Sequence, residues 1–296
     1  MSVTIGTRGS KLALAQTENV VKRLAAMGIT AKVEIIATQG DTTTQVPLHE
    51  IGGQGVFVRA LDDAILAGKI DCAVHSMKDI PAIRPSGLVT AAILERDSPA
   101  DFLAFNDSVD AVRVLGTSST RRRAQFLRHD PDLTIRDLRG NVDTRLRKLH
   151  DREYDAILLA EAGLQRLGLS INGERLNPAR FVPSPNQGTV AVVARADPSL
   201  REVFSALDHA RTRTDTMSER AVMEELGGGC FTPLGIYCNN GHLIAEVLSL
   251  DGKRTERIEA DITSFEEARQ QGRVLRERAR DLIDEAYSRL GITHGG

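Results

Sequence analysis

Apolar and polar residues alternate at the start of the chain and then change to a helical spacing. Residues 3–7 alternate as a short strand, and apolar residues recur every three or four positions from Leu12 to Met27, behind Ser10 as a helix cap. Residues 32–38 have a second strand pattern. Because a strand, a helix and a strand in this order form a right-handed crossover, the pattern predicts a largely parallel sheet.

Similar patterns continue to the middle of the chain and predict a second α/β unit. Further strands are predicted in a segment ending near His75 and at 87–94, 111–115, 133–138, 155–160 and 189–194, and helices at 56–66, from 120 onward and at 200–207. Residues 95–101 have the composition of a hinge or linker, and the strand at 189–194 could return to the first sheet.

The last part of the chain has a different order of elements. Strand patterns lie at 236–238, 243–250 and 254–260, with an Asp251-Gly252 hairpin turn between the last two. One long charged amphipathic helix is predicted at 265–290. Strands followed by a helix predict an α+β domain distinct from the first two units.

Composition limits the class of protein. The chain has 296 residues, 41% hydrophobic and 26% charged, with a net charge of -2 and no apolar run of membrane-spanning length. It enters a strand pattern at once, without a signal segment, so we expect a cytoplasmic protein. Cysteines stand only at 72, 230 and 238, a spacing that argues against a disulfide framework or a metal site.

The stretch from Leu226 to Gly235 sets a single thiol, Cys230, behind three glycines. Consecutive glycines allow positive φ angles and the close approach of a large group, and Pro233 stops a return to helix. Residues 218–226 have helical spacing, so Cys230 follows a helix C-terminus, whose dipole does not lower a thiol pKa. We interpret Cys230 as an attachment point rather than a nucleophile; a small buried residue after a helix cap is the alternative.

Charged side chains follow two of the predicted strands. Arg8 lies between the first strand and the first helix, and Ser76, Lys78 and Asp79 follow the strand that ends near His75. The carboxyl ends of neighbouring strands in an α/β sheet are where anions bind. Asp79 could stabilise positive charge or move a proton there, or it could simply cap the next turn.

The middle of the chain is locally basic. Residues 116–149 contain nine Lys or Arg against four Asp, a local excess of five positive charges. Aromatic residues make up only 4% of the chain, and none is interleaved with these arginines for base stacking, so we expect no nucleic acid partner. A small molecule rich in carboxylates suits guanidinium groups at least as well, and a solvated charged face is the alternative.

Six short motifs, in order over nearly the whole chain, resemble the porphobilinogen deaminase (hydroxymethylbilane synthase) family. They are Thr-Arg-Gly-Ser-Lys-Leu-Ala-Leu-Ala-Gln at 7–16, Gly-Gly-Gln-Gly-Val-Phe at 52–57, His-Ser-Met-Lys-Asp-Ile-Pro at 75–81, Gly-Thr-Ser-Ser-Thr-Arg-Arg at 116–122, Leu-Arg-Gly-Asn-Val-Asp-Thr-Arg-Leu at 138–146 and Gly-Gly-Cys at 228–230. The third and the last are the most specific.

The resemblance implies an α/β fold of two periplasmic-binding-protein-like domains around a cleft, plus a smaller C-terminal α+β domain. The implied boundaries are 1–95 with 183–208, then 96–182, then 209–296. The implied activity is the head-to-tail condensation of four porphobilinogen molecules into hydroxymethylbilane, with loss of ammonia at each step. The resemblance also favours a monomer.

The family's functional residues carry over onto matching positions of this sequence. The implied cofactor is a dipyrromethane held by a thioether to Cys230, and Asp79 corresponds to the catalytic acid that stabilises a cationic azafulvene. The other implied cofactor-binding residues are Ser76, Lys78, Ser119, Arg121, Arg122, Arg145 and Gly188, and the implied substrate-binding residues are Arg8, Ser10, Arg139, Arg145 and Arg166. Residues 39–55 match the family's active-site lid.

The chain departs from the family pattern without losing a catalytic group. The differing positions are Gly9, Gln54, Asn186, Val193 and Gly227. Two other classes of function fit part of the pattern. A two-lobed anion sensor would explain the arginines but not Cys230, and a cysteine hydrolase would have to pair Cys230 with His75, which nothing in the sequence brings together.

Overall fold

The computed structural model describes residues 2–37, 58–81, 84–227 and 232–289. The strands are β1 (Ser2–Thr7), β2 (Thr30–Ile35), β3 (Cys72–Ser76), β4 (Leu88–Ile93), β5 (Asp101–Phe105), β6 (Val114–Gly116), β7 (Thr134–Arg136), β8 (Ala156–Ala160), β9 (Gly173–Arg175), β10 (Val190–Arg195), β11 (Leu234–Asn239), β12 (His242–Leu248) and β13 (Thr255–Asp261). The α-helices are α1 (Lys11–Ala26), α2 (Arg59–Leu66), α3 (Thr120–His129), α4 (Val142–His150), α5 (Glu161–Arg166), α6 (Pro198–Ser205), α7 (Ala210–Glu225), α8 (Phe265–Arg278) and α9 (Arg280–Arg289).

The chain divides into two compact units. The first unit consists of residues 1–97, 165–169 and 188–213, and the second of residues 98–164, 170–187 and 214–296.

The first unit is built on a five-stranded sheet in the order β2-β1-β3-β10-β4. β1 is parallel to β2 and β3, whereas β10 is antiparallel to β3 and β4. The predicted β-α-β opening and the return of the strand near 189–194 to the first sheet are therefore confirmed. Apolar residues of α1, α6 and one sheet face form the core, among them Val20, Leu24, Val74, Val192 and Phe204.

The second unit contains two sheets. One is mixed, in the order β7-β6-β8-β5-β9, and the other is the antiparallel sheet β11-β12-β13, against which α8 and α9 pack. The predicted α/β class with a smaller C-terminal α+β part is confirmed. The boundaries of three domains stay a prediction.

The turn between β12 and β13 fits closely against α3. Gly252 has a φ of 73°, and a Cβ built there would lie 2.3 Å from the carbonyl oxygen of Ala124. Beside this contact, buried Glu246 of β12 accepts hydrogen bonds from Gln125 Nε2 and from Arg128 Nη1, each at 2.9 Å. The antiparallel sheet is therefore joined to α3 by steric fit and by a charge-assisted hydrogen bond.

The structure differs from the sequence-based expectation in several elements. The helix predicted at 265–290 is interrupted at Ala279, yet Leu275, Ala279 and Leu282 all reach the same core, so the apolar period runs through the break. Asp101 begins β5 instead of ending a linker, and β9 is three residues long, too short for a periodic signal. The strand predicted at 111–115 begins only at Val114, after a 3-10 turn.

A surface histidine in the antiparallel sheet lies between two carboxylates. Nδ1 of His242 is 2.8 Å from Oδ1 of Asp261, the residue opposite it on β13, and Nε2 is 3.0 Å from Oε1 of Glu259. The hydrogen bonds to Asp261 and Glu259 raise the pKa of His242 above its ordinary value.

We expect the stabilising contribution of His242 to decrease as the pH rises. A histidine whose pKa is raised in the folded state contributes its full stabilisation below its pKa in the unfolded chain, about 6.5. This stabilisation is lost as the pH rises through its pKa in the folded state. The melting temperature of the wild type should exceed that of His242→Gln by a wider margin at about pH 6 than at about pH 9. The same margin at both pH values would contradict the expectation.

Candidate active site

The turn between β1 and α1 holds a cation where the strand ends and the helix begins. β1 ends at Thr7, and the side chain of Ser10 caps α1 by accepting a hydrogen bond from the backbone N–H of Ala13 at 3.3 Å. Arg8 therefore lies at the carboxyl edge of the sheet, as the sequence predicts.

β3 brings a second group of polar residues to the same edge. β3 runs parallel to β1, with Ile5 paired to Cys72, and a 3-10 turn follows it at Met77–Asp79. Met77 is buried and anchors this turn, whereas Lys78 and Asp79 are exposed. The family resemblance implies a buried carboxylate beside the pyrrole N–H groups, whereas Asp79 is exposed in the structure.

Gln16 of α1 ties the two groups together. Its Nε2 donates to the Ser76 hydroxyl at 2.8 Å, and the side chain is only 3% exposed. Gln16 does not stand out as a site residue in the sequence, since a polar residue in an amphipathic helix normally faces water. Its position on the buried face of α1, one turn before Val20, was the available signal.

These residues line one small open pocket of about 60 Å³. Polar residues of the lining are Arg8, Ser10, Gln16, His75, Ser76 and Asp79. The structure thus brings together four predicted site residues from the motifs at 7–16 and 75–81, namely Arg8, Ser10, Ser76 and Asp79. Lys78 is next to them in the 3-10 turn.

His75 is a neutral residue in this pocket. Burial, followed by the nearby charges of Arg84 and Arg8, lowers the pKa of His75 to about 3. Among the described residues, its Nε2 has no hydrogen-bond partner although the atom is buried. A protonated imidazole would add a third positive charge beside the two guanidinium groups, so the ring carries a single proton at neutral pH.

Arg166 and Gly188 meet elsewhere in the first unit. Arg166 of α5 donates from Nε to Oδ2 of Asp97 at 2.7 Å and from Nη2 to the carbonyl oxygen of Gly188 at 2.6 Å. Asp97 also donates its backbone N–H to that carbonyl oxygen at 3.0 Å. The guanidinium group of Arg166 is thereby held in one orientation.

The second unit holds the paired arginines at the start of α3. Ser119 caps this helix by accepting from the N–H of Arg122, as its sequence predicts. Arg121 and Arg122 are 4% and 7% exposed, and both bind Asp101 of β5, at 2.7 Å through Nη1 of Arg121 and 2.6 Å through Nη2 of Arg122. Gln187 Nε2 also donates to Asp101, at 2.8 Å.

Asp101 is the shared acceptor of this buried cluster. Burial would raise its pKa, but the charges of Arg121 and Arg122 outweigh burial and hold the pKa well below its ordinary range. Arg121 and Arg122 also donate to the carbonyl oxygens of Val182 and Leu158. Binding of the cofactor by these two arginines stays a prediction, and the structure adds a structural role for both.

The last two predicted arginines lie around the start of α4. Arg139 is half-buried just before Gly140, whose φ is 112°. Arg145 donates from Nε to the carbonyl oxygen of Gly140 at 2.8 Å, and Asn141 caps the helix between them. This local turn brings Arg139 and Arg145 to the same end of α4.

The connector that precedes β10 has an unusual backbone at Asn186. Its φ is 63°, a conformation that Asn tolerates better than most residues. The N–H of Asn186 donates to Oε2 of Glu219 at 2.6 Å, and Oε1 of Glu219 accepts from the N–H of Cys238 at 2.8 Å. Glu219 of α7 therefore fixes both segments.

Cys230 and residues 39–55 lie outside the described residues. The stem before the cysteine is described to Gly227, whose carbonyl oxygen accepts a hydrogen bond from the Tyr287 hydroxyl at 3.2 Å. The helix predicted before the cysteine is confirmed as α7. Within the described ranges, no helix is long and apolar enough to cross a membrane, and no cluster of His, Cys, Asp or Glu could hold a metal ion.

The described residues define an α/β protein whose first unit holds a guanidinium group, hydroxyls and a carboxylate at its strand ends, a class of site suited to a small anion. Two family models match the chain: "Porphobilinogen deaminase, dipyromethane cofactor binding domain" over residues 3–202, and "Porphobilinogen deaminase, C-terminal domain" over residues 214–281. The chain belongs to the porphobilinogen deaminase family.

Two relatives named as porphobilinogen deaminases support this assignment. A "Probable porphobilinogen deaminase" of Methanosarcina acetivorans is 53% identical, over 97% of this chain and 95% of that protein. A "Porphobilinogen deaminase" of Nitratidesulfovibrio vulgaris is 41% identical, over 97% of each. Among solved structures, a periplasmic sulfonate-binding protein of Methylobacillus flagellatus is 13% identical, over 74% of this chain and 67% of that protein, with a TM-score of 0.39.

Proposed function

We propose that Asp79 is the catalytic carboxylate of this member of the porphobilinogen deaminase family. The observation that carries the proposal is the pocket in which Asp79 lies with Arg8, Ser10 and Ser76, at the carboxyl edge of the first sheet. A carboxylate at this edge can stabilise positive charge that develops on a substrate, and the arginine can bind the substrate's own carboxylates.

The reaction joins four porphobilinogen molecules head to tail into hydroxymethylbilane, and one water molecule supplies the hydroxyl group of the product. At each step a carbon–carbon bond forms, the carbon–nitrogen bond of the aminomethyl group breaks, and ammonia leaves. The amine must be protonated to leave, and the free α-carbon of the pyrrole ring that forms the new bond must lose its proton. Asp79 is the residue of the pocket that can hold such a proton and that can stabilise the cationic substrate between the two events.

The residues present fit the family's dipyrromethane cofactor. Its pyrrole N–H groups need an acceptor and its acetate and propionate groups need donors, and Asp79, Ser76, Ser10 and Arg8 offer both at one pocket. When bound, the dipyrromethane supplies the pyrrole chain that receives the first substrate. Ser76 is held by Gln16, so its hydroxyl has a fixed orientation.

Cys230 is the proposed point of attachment. The other two cysteines are poor candidates, because Cys72 and Cys238 are 0% and 1% exposed, and burial raises the pKa of both thiols. Cys230 is left as the thiol that follows a run of glycines at the end of α7.

Intact-mass spectrometry of the denatured protein tests the attachment. The wild type should carry a covalent adduct of two pyrrole units, and Cys230→Ser should have the mass of the bare chain and no turnover. Cys238→Ser is the matched control and should keep the adduct, since its sulfur is buried in β11. An unmodified but active wild type would disprove the tether. An unmodified wild type without turnover is instead the result expected of an anion sensor or a hydrolase.

The arginines that follow the other strands are proposed to bind the carboxylates of the growing chain. Each added pyrrole brings an acetate and a propionate, so successive units require further guanidinium groups. Arg139 and Arg145 at the start of α4 and Arg166 beside Gly188 are held by backbone or carboxylate contacts that restrict their orientation, which supports this role. The proposal also includes a monomeric, cytoplasmic enzyme without a nucleic acid partner.

A further inference from the structure

We propose that His75 is a substrate-positioning residue, a neutral hydrogen-bond donor to the pyrrole carboxylate that Arg8 binds. The inference rests on the proposed function and adds to it a residue for which the family resemblance implies no role. Three observations carry it: the place of His75 in β3, the unpartnered nitrogen of its ring, and the charges that surround it.

The strand alternation separates His75 from the apolar core of the first unit. Cys72 and Val74 belong to the core formed with α1 and α6, so His75 projects from the opposite face of β3. On that face β1 contributes Gly6, which is paired with Ala73 and whose missing Cβ leaves room for Leu61 of α2. His75 is the last buried residue of the strand before Ser76, and it lines the pocket of Arg8 and Asp79.

The ring nitrogen Nε2 has no partner among the described residues. His75 is 5% exposed, and a buried polar nitrogen without a hydrogen bond is unfavourable in a folded protein. Such an atom next to a pocket is accounted for when a bound molecule supplies the missing partner. The pocket in question already has the chemistry of a site for a carboxylated pyrrole.

The surrounding charges decide which group of the substrate the ring meets. Arg84 and Arg8 are the charged residues that act on His75, and both are positive. Arg84 is paired with Asp62 of α2 and so is held in place, and Asp79 also lines the pocket. A positive environment favours an anionic partner, so Nε2 carries the ring's proton and donates it toward a carboxylate oxygen.

A neutral donor suits a site from which the bound carboxylate must later be released. Arg8 supplies the charge and His75 supplies direction, without a further cation that would hold the anion more tightly. Because burial between two arginines keeps the ring neutral near pH 7, His75 does not exchange protons with the substrate during turnover.

The test compares His75→Phe with His75→Gln by steady-state kinetics, after intact mass has established that each variant holds its adduct. Phe fills the space without a donor, whereas Gln keeps one. We expect His75→Phe to raise the KM for porphobilinogen by about 10- to 100-fold with kcat changed less than about threefold, and His75→Gln to restore most of the loss. The pH dependence of kcat/KM should keep its shape in both variants.

Several results would overturn the inference. They are an unchanged KM in His75→Phe, a lower kcat at constant KM, a failure of Gln to rescue, or the loss of one limb of the pH profile, which would make His75 a general acid or base. If His75→Phe does not fold, His75→Gln is compared with His75→Ala. A KM within about twofold of wild type in the Gln variant and a raised KM in the Ala variant support the inference, and an unchanged KM in the Ala variant overturns it. A wild type without adduct or turnover would instead disprove the proposed function.

Discussion

Asp79→Asn should keep the covalent adduct and lose nearly all turnover, by about 10²- to 10⁴-fold in kcat. Asparagine has the shape of aspartate but carries no charge and cannot take up a proton at neutral pH. Asp79 is exposed at the end of a 3-10 turn, so the exchange should leave the fold and its melting temperature unchanged. The loss should therefore appear in the chemical step and not in folding or in cofactor assembly.

Ammonia release from porphobilinogen measures the turnover, and intact mass measures the adduct. Asp63→Asn, an exposed carboxylate of α2, is the control and should retain full activity. Turnover by Asp79→Asn within about threefold of the wild type would remove Asp79 from its catalytic role. Loss of the adduct in that variant would assign Asp79 to cofactor assembly instead.

Asp101→Asn should destabilise the second unit by about 3–5 kcal/mol, because it leaves two buried guanidinium groups without their carboxylate. Asp101 is 1% exposed and accepts from Arg121, Arg122 and Gln187. The melting temperature should fall by on the order of 10 °C. Since the pKa of Asp101 is held low, its contribution is full at neutral pH and is lost as the pH falls through that depressed value.

Asp107→Asn is the matched control for this prediction. Asp107 also pairs with an arginine, Arg152, but the two side chains are 61% and 69% exposed. Solvent screens such a pair, so the control should melt close to the wild type. If Asp101→Asn melted as the control does, the buried cluster would not be the main support of β5 and α3.

The sequence could predict the sheet edge of the pocket because the rule behind it is local. Strand, turn and helix follow one another within residues 2–26, and the parallel pairing of β1 with β3 then fixes where Ser76 and Asp79 must be. Gln16 and His75 could not be predicted as site residues from the sequence, because their roles depend on which atoms surround them. A polar residue on a helix and a histidine in a strand have many possible partners, and only the packed structure selects one.

The ion-pair partner of Arg121 and Arg122 could not be predicted from the sequence, although their place in a helix could. Their place at the start of α3 follows from Ser119 and the preceding strand, but their partner Asp101 lies in a segment whose polar composition is typical of a linker. A buried carboxylate cannot be distinguished from an exposed one by composition. The same holds for the end of the chain, where one apolar period covers both α8 and α9.

Recombination with a relative would be constrained by the fit of Gly252 and Glu246 against α3. The first family segment ends at residue 202 and the second begins at residue 214, so the interval between them is a natural crossover point for a chimera. A foreign C-terminal segment would nevertheless have to bring a glycine at the tight turn and an acid that reaches Gln125 and Arg128. A functional chimera would therefore have to exchange these contact residues together with α3, although they lie outside the interval between the two segments.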